Sequence, residues 1–152
     1  MPDPHGPNRL EDYVNVHQRY MADWLLDGFV LRDGCNFTDL GDHVVLKGKI
    51  HCQGNTGVDV KKRLRVLGGR GWSRIVQTEW FKYNTWLKGY HNIFRYDSKC
   101  GHRALPHKHV FDVFGDGSET EFVEYTRSED VPSLSYVIGE LSLWYELNSD
   151  RL

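Results

Sequence analysis

The apolar positions of the chain change period twice. Near the start they fall at Leu10, Tyr13, Val14, Val16, Tyr20, Met21, Trp24, Leu25 and Leu26. The later members make one helical face, so the spacing predicts a helix over about residues 12–27 that stops near Gly28. After "RDG" the period shortens towards two. "HVVLKGKIHC", "VDVKKRLRVLG", "RIVQTEWFKYNTWLKG", "HNIFRYD", "HKHVFDVFG" and "TEFVEYT" each read as a strand. In the third of these, strict alternation puts Ile75, Gln77, Glu79, Phe81 and Tyr83 on one face and Val76, Thr78, Trp80, Lys82 and Asn84 on the other. The turn signals "GNTG", "GGRG", "LKGY" and "GDGS" fall between strands, as hairpins require. Helical spacing returns at Leu134, Val137, Ile138, Leu141, Trp144 and Tyr145, in a segment opened by Ser128, acids and Pro132.

Helix, antiparallel meander, helix is the order of an α+β fold. The expectation is one domain over residues 1–152, with about five to six strands and both terminal helices packed on the sheet. Leu64, Val66, Phe81, Phe94 and Phe111 should supply the buried sheet face, and Leu134, Val137, Ile138, Leu141 and Trp144 its cover. Trp24, Trp80 and Trp144 read as core, and residues 1–9, rich in Pro and Gly, read as a frayed end.

Charge changes this picture by its placement more than by its total. With 19 basic and 21 acidic residues the formal net charge is −2, which excludes a protein coated all over with nucleic-acid-binding cations. Yet Lys61, Lys62, Arg63, Arg65, Arg70 and Arg74 crowd the middle, and acids dominate from Asp112 to Asp130. Cys35, Cys52 and Cys100 form no CxxC pair and are odd in number, which points to a reducing compartment rather than a disulfide framework. No basic-then-apolar leader and no membrane-length apolar run is present in the sequence, so a soluble, cytoplasmic protein is expected.

The densest chemistry lies in "HRALPHKHVF", where His102, His107 and His109 occur within eight positions beside Arg103 and Lys108. On a strand, His107 and His109 share one side and Lys108 points to the other. Three readings compete. His102, His107 and His109, completed by Asp97 or Cys100, have the residue types of a catalytic zinc or iron site. Without metal or cofactor, two histidines and a nearby cation suffice to cleave RNA, whose own 2′-hydroxyl is the nucleophile. The third reading is a basic loop, solvated or bound to a protein or nucleic acid without chemistry. Tyr83, Trp86 and Tyr90 are candidate platforms for bases.

Around these residues, "KYNTWLKGYHNIFRYDS…HRALPHKHVFD" resembles the TumE-type toxins of prokaryotic toxin–antitoxin pairs. The likeness spans about residues 58–147 and is concentrated in 80–112, where the "R-Y-D" strand is followed by a His-rich loop ending in "P-H-K-H". The motif falls on Arg95, Tyr96, Asp97, His102, Pro106, His107, Lys108 and His109, with Cys100 and Gly101 departing from a fuller His run. The resemblance implies a toxin that acts on RNA and a helix-turn-helix antitoxin as partner; no membrane association is expected, with room for a homodimer. The acid–base chemistry of these side chains makes a metal-independent endoribonuclease the expected reaction, with Arg95, Asp97, His102, His107 and His109 as its catalytic candidates. RNA binding is expected of Lys61, Lys62 and Arg63 from the charge placement, and of Tyr96, Arg103 and Lys108 in and beside the motif.

Overall fold

The computed structural model describes residues 4–98, 105–127 and 130–152, so the expectations for Cys100, His102 and Arg103 lie outside the described residues. Along the chain run β1 (Asn8–Arg9), α1 (Leu10–Asp27), β2 (Val30–Asp33), β3 (Asn36–Asp39) and β4 (His43–Cys52). Then come β5 (Thr56–Gly68), β6 (Ile75–Leu87), β7 (Asn92–Asp97), β8 (His107–Phe111), β9 (Glu119–Glu124) and α2 (Leu134–Asn148). The strands form a single open antiparallel sheet in the order β2-β4-β5-β6-β7-β8-β9, with β3 also on β4 and β1 on β6.

Both helices begin and end for local reasons. Gly28 takes a left-handed φ of 93° and donates its N–H to the Trp24 carbonyl, which closes α1 at the residue type that tolerates that conformation. In α2 the cap is Ser133: its hydroxyl accepts the Tyr136 N–H at 3.2 Å, just after Pro132.

The two helices cover the same sheet face. Met21 of α1 and Leu134, Val137, Ile138 and Leu141 of α2 join Leu46, Ile50, Val58, Val60, Phe81, Tyr83, Phe94 and Tyr96 in the main core. Leu10 meets Val44, Leu64 and Val76 in a second cluster, with Val66 packed at its edge. Leu64, Phe81 and Phe94 are therefore buried as expected, although Leu64 and Val66 lie under α1 rather than α2.

Two expectations about this face are corrected. The register of β5 on β6 pairs Arg63 with Trp80 and Leu64 with Thr78, so Glu79 is an extra residue in a bulge. The bulge reverses the alternation: Val76 turns inward with Phe81 and Tyr83, while Trp80 lies outside the core with the Lys61 ammonium over its ring. Phe111 also leaves the core and turns its ring to His109 and the Arg95 guanidinium.

From Pro4 onward, the stretch expected to fray is packed. His5 is buried, stacks on Phe81 at 4.7 Å and contacts the Pro132 carbonyl through Nε2 at 3.3 Å. No helix among the described residues is long and apolar enough to cross a membrane.

Candidate site on the open sheet face

Because both helices sit on one side, the alternate residues of β4 to β9 point away from them. Antiparallel register lines these residues up across the sheet. One row reads Lys47, Lys61, Lys82, Asp97, His107 and Glu124. The next reads Lys49, Asp59, Asn84, Arg95, His109 and Phe122. Lys47, Lys61 and Lys82 are all exposed. Strands lie about 4.8 Å apart, so the three ammonium groups form a cationic track about 10 Å long that leads to Asp97. Trp86 lies two rows along, over Gly57, where a Cβ would lie 2.2 Å from the indole, and the Lys49 ammonium sits 5.8 Å over its ring. Its Nε1 donates to Asp59 Oδ1 at 3.0 Å.

At the end of the track the RYD strand β7 and the HKH strand β8 pair, Asp97 opposite His107 and Arg95 opposite His109. Alternation divides each tripeptide between the two faces. Tyr96 and Lys108 point inward to α2, where Glu140 accepts the Tyr96 hydroxyl at 2.7 Å and the Lys108 ammonium at 2.5 Å. Burial, reinforced by Glu140, pushes the Tyr96 phenol far up. Arg95, Asp97, His107 and His109 point outward and meet.

Asp97 is the hub of the outward cluster. Its Oδ2 accepts from Arg95 Nε at 2.7 Å and lies 3.8 Å from His109 Nε2, while Oδ1 touches His107 Nε2. The far side of each imidazole is engaged as well. His107 Nδ1 lies 3.0 Å from the Leu105 carbonyl and His109 Nδ1 is held by the Glu119 carboxylate. A backbone carbonyl and a carboxylate only accept, so a ring that gives its Nδ1 proton to them turns Nε2 towards Asp97, as a lone pair where the ring is neutral and as a second N–H where it is charged. Phe122 flanks both rings, at 5.3 Å from His107 and 5.2 Å from His109. Asp97 Oδ1 and His109 Nε2 are buried without a hydrogen-bond partner.

No family model, no curated protein and no solved structure matches this chain. What the site does has to follow from its own atoms.

Of the residues singled out in the sequence, the fold brings Arg95, Asp97, His107 and His109 to one point and keeps Lys61 and Arg63 on the same face, Arg63 in an ion pair with Glu79 at 2.8 Å. Four expectations are corrected. Lys62 is only 3 % exposed, on the helix side, with Nζ 3.1 Å from His5 Nδ1. Lys108 faces α2, bound to Glu140. Tyr96 and Tyr83 are buried and offer no ring to a base. His102 and Arg103 lie outside the described residues. Sequence reasoning missed Lys47, Lys82 and Glu119. The two lysines are single charges within apolar strands and join only through register. Glu119 was read as part of an acidic run, with nothing in its spacing to mark it as the partner of His109. Cys35 and Cys52 are free, and burial pushes the Cys52 thiol up to about 12, which removes it as a nucleophile at neutral pH.

Proposed function

We propose that this protein is a toxin-like protein that acts on RNA, binding the phosphodiester backbone along its helix-free sheet face and cleaving it at the Arg95–Asp97–His107–His109 cluster. The observation that carries the reading is the shared row: three exposed lysines in cross-strand register lead directly to Asp97 and His107. Like charges directly opposite one another weaken a sheet, so a ladder of lysines has a cost to folding that a polyanionic ligand relieves. RNA fits this chemistry because it brings its own 2′-hydroxyl, and the protein has only to position the phosphate, accept a proton and stabilise the charge that develops. A DNA-binding antitoxin encoded beside the gene is the partner this reading calls for.

The test is induced expression of the wild-type chain and of His107→Ala and His109→Ala, followed by growth and by integrity of cellular RNA, with RNA cleavage by the purified proteins alongside. Wild type should arrest growth and degrade RNA. Each variant should lose on the order of a hundredfold or more in cleavage rate, the scale on which a catalytic proton-transfer group acts. Equal arrest by wild type and both variants would leave the face without chemistry. Lys82→Ala should weaken RNA binding while keeping the cleavage rate at saturating RNA.

A further inference from the structure

We infer that Asp97, His107 and His109 form a binding site for one divalent transition-metal ion of the zinc class, with His107 Nε2, His109 Nε2 and Asp97 Oδ1 as its protein ligands.

One ligand atom from each of these residues lies within 4.8 Å of the others. A tetrahedral ion with bonds of about 2.0–2.1 Å needs ligands about 3.4 Å apart, so the close His107–Asp97 contact opens and the wider spacings draw in, by up to about 1.4 Å. With their Nδ1 atoms engaged by Leu105 and Glu119, two neutral imidazoles turn lone pairs on a carboxylate, acceptor against acceptor; Asp97 Oδ1 meets His107 Nε2, and His109 Nε2 lies 3.8 Å from Oδ2, buried and without a hydrogen bond. A cation at the point where they converge satisfies all three groups.

The outer contacts are those a metal centre requires. Ligating histidines give their second N–H to a carbonyl or carboxylate, as His107 and His109 do, and a ligating carboxylate is itself held by a donor. Arg95 is that donor: it occupies Oδ2 at 2.7 Å and leaves Oδ1 for the ion. Two imidazoles and one carboxylate select zinc, cobalt or ferrous iron over magnesium, which prefers oxygen ligands throughout. Three protein ligands leave a coordination position open. An ion there acts on a bound phosphate oxygen or water as a Lewis acid.

This inference does not rest on the RNA reading, since binding is measured without RNA. The full-length protein, stripped with chelator and dialysed, is titrated with Zn2+ and, separately, with Co2+ followed by its visible absorption. The expected result is one saturable ion per chain, with Mg2+ producing no heat under the same conditions. His107→Ala and His109→Ala should each weaken Zn2+ binding by at least a hundredfold. Glu119→Gln leaves every ligand in place and alters an exposed side chain, so it should keep the fold and weaken binding about 10–100-fold. Absence of stoichiometric Zn2+ binding by the wild type would overturn the site. So would wild-type affinity in the two histidine variants, or in Glu119→Gln if those variants fail to fold.

Discussion

His5 shows what a single buried titratable residue does to a chain end. Its ring lies on Phe81, Nδ1 accepts from the Lys62 ammonium at 3.1 Å, and Nε2 donates to the Pro132 carbonyl. It thereby ties the N-terminal stretch to β5, β6 and the entry to α2. Burial, together with the adjacent Lys62 charge, lowers its pKa from 6.5 to about 3. A histidine lowered in this way is neutral in the folded chain and takes up a proton in the unfolded one. Its contribution is complete above about pH 6.5 and falls as the pH drops towards 3, by up to about 1.4 kcal/mol for each unit. Thermal melts between pH 7 and pH 4 should therefore show a falling melting temperature in the wild type and a shallower fall in His5→Gln, which keeps a polar group but cannot titrate in that range. Parallel slopes for the two proteins would mean that other groups set the acid sensitivity. Nothing in "MPDPHGPNRL" announces this role. Pro and Gly signal a loose end, and the stacking partner is 76 positions away in the sequence.

Elements were more legible than their partners. α1, β4, β5, β7 and α2 follow the apolar period closely, because each buries a continuous stripe or alternate row. What the pattern leaves out is short or irregular. β2 and β3 have four residues each, mostly exposed, and exist because β4 offers them an edge. The Glu79 bulge inverts half of β6, and a simple count of two cannot show where an extra residue sits. The site was legible to the same extent: period two in HKH puts His107 and His109 together, and strand pairing, invisible in one sequence, adds Asp97 beside them and Glu119 behind. The inward halves of RYD and HKH act through α2. Glu140 holds Tyr96 and Lys108 from behind, so it anchors to α2 the two strands that carry the outward cluster. Glu140→Ala should lower stability by roughly 1–3 kcal/mol, the usual cost of stranding partly buried hydrogen-bonding groups. It should also weaken Zn2+ binding, although it touches no ligand. In His109→Ala, by contrast, binding should fall far more than the melting temperature does. A Glu140→Ala protein with wild-type stability and wild-type binding would show that the helix merely covers the strands.

At the scale of the whole molecule the sheet separates two environments. One face is apolar and closed by both helices. The other carries Lys47, Lys49, Lys61, Arg63, Lys82 and Arg95, balanced in part by Asp59, Glu79, Asp97 and Glu119. A net charge of −2 conceals this polarity, because the acids crowd the two ends of the chain and only Asp59, Glu79 and Asp97 fall in its middle third. Lys47, Lys61 and Lys82 are the part of the face with no acid in their own row until Asp97, and they should dominate contact with a polyanion. Each cation that neutralises a phosphate releases counterions, so affinity for single-stranded RNA should fall with salt at a slope of about −0.7 per contact in logarithmic terms. Three contacts give a slope near −2, or roughly a 20-fold loss between 50 and 200 mM salt. Lys47→Ala, Lys61→Ala and Lys82→Ala should each make the slope shallower by about 0.7. Lys62→Ala is the internal control: its neighbour in sequence faces the track, but Lys62 itself lies under the helices with His5. It should lower the melting temperature and leave the slope alone. Filter binding of a short oligoribonucleotide across that salt range measures all four. Binding indifferent to salt would remove the track as the RNA surface, and so would a Lys62→Ala slope that changed as much as that of Lys82→Ala.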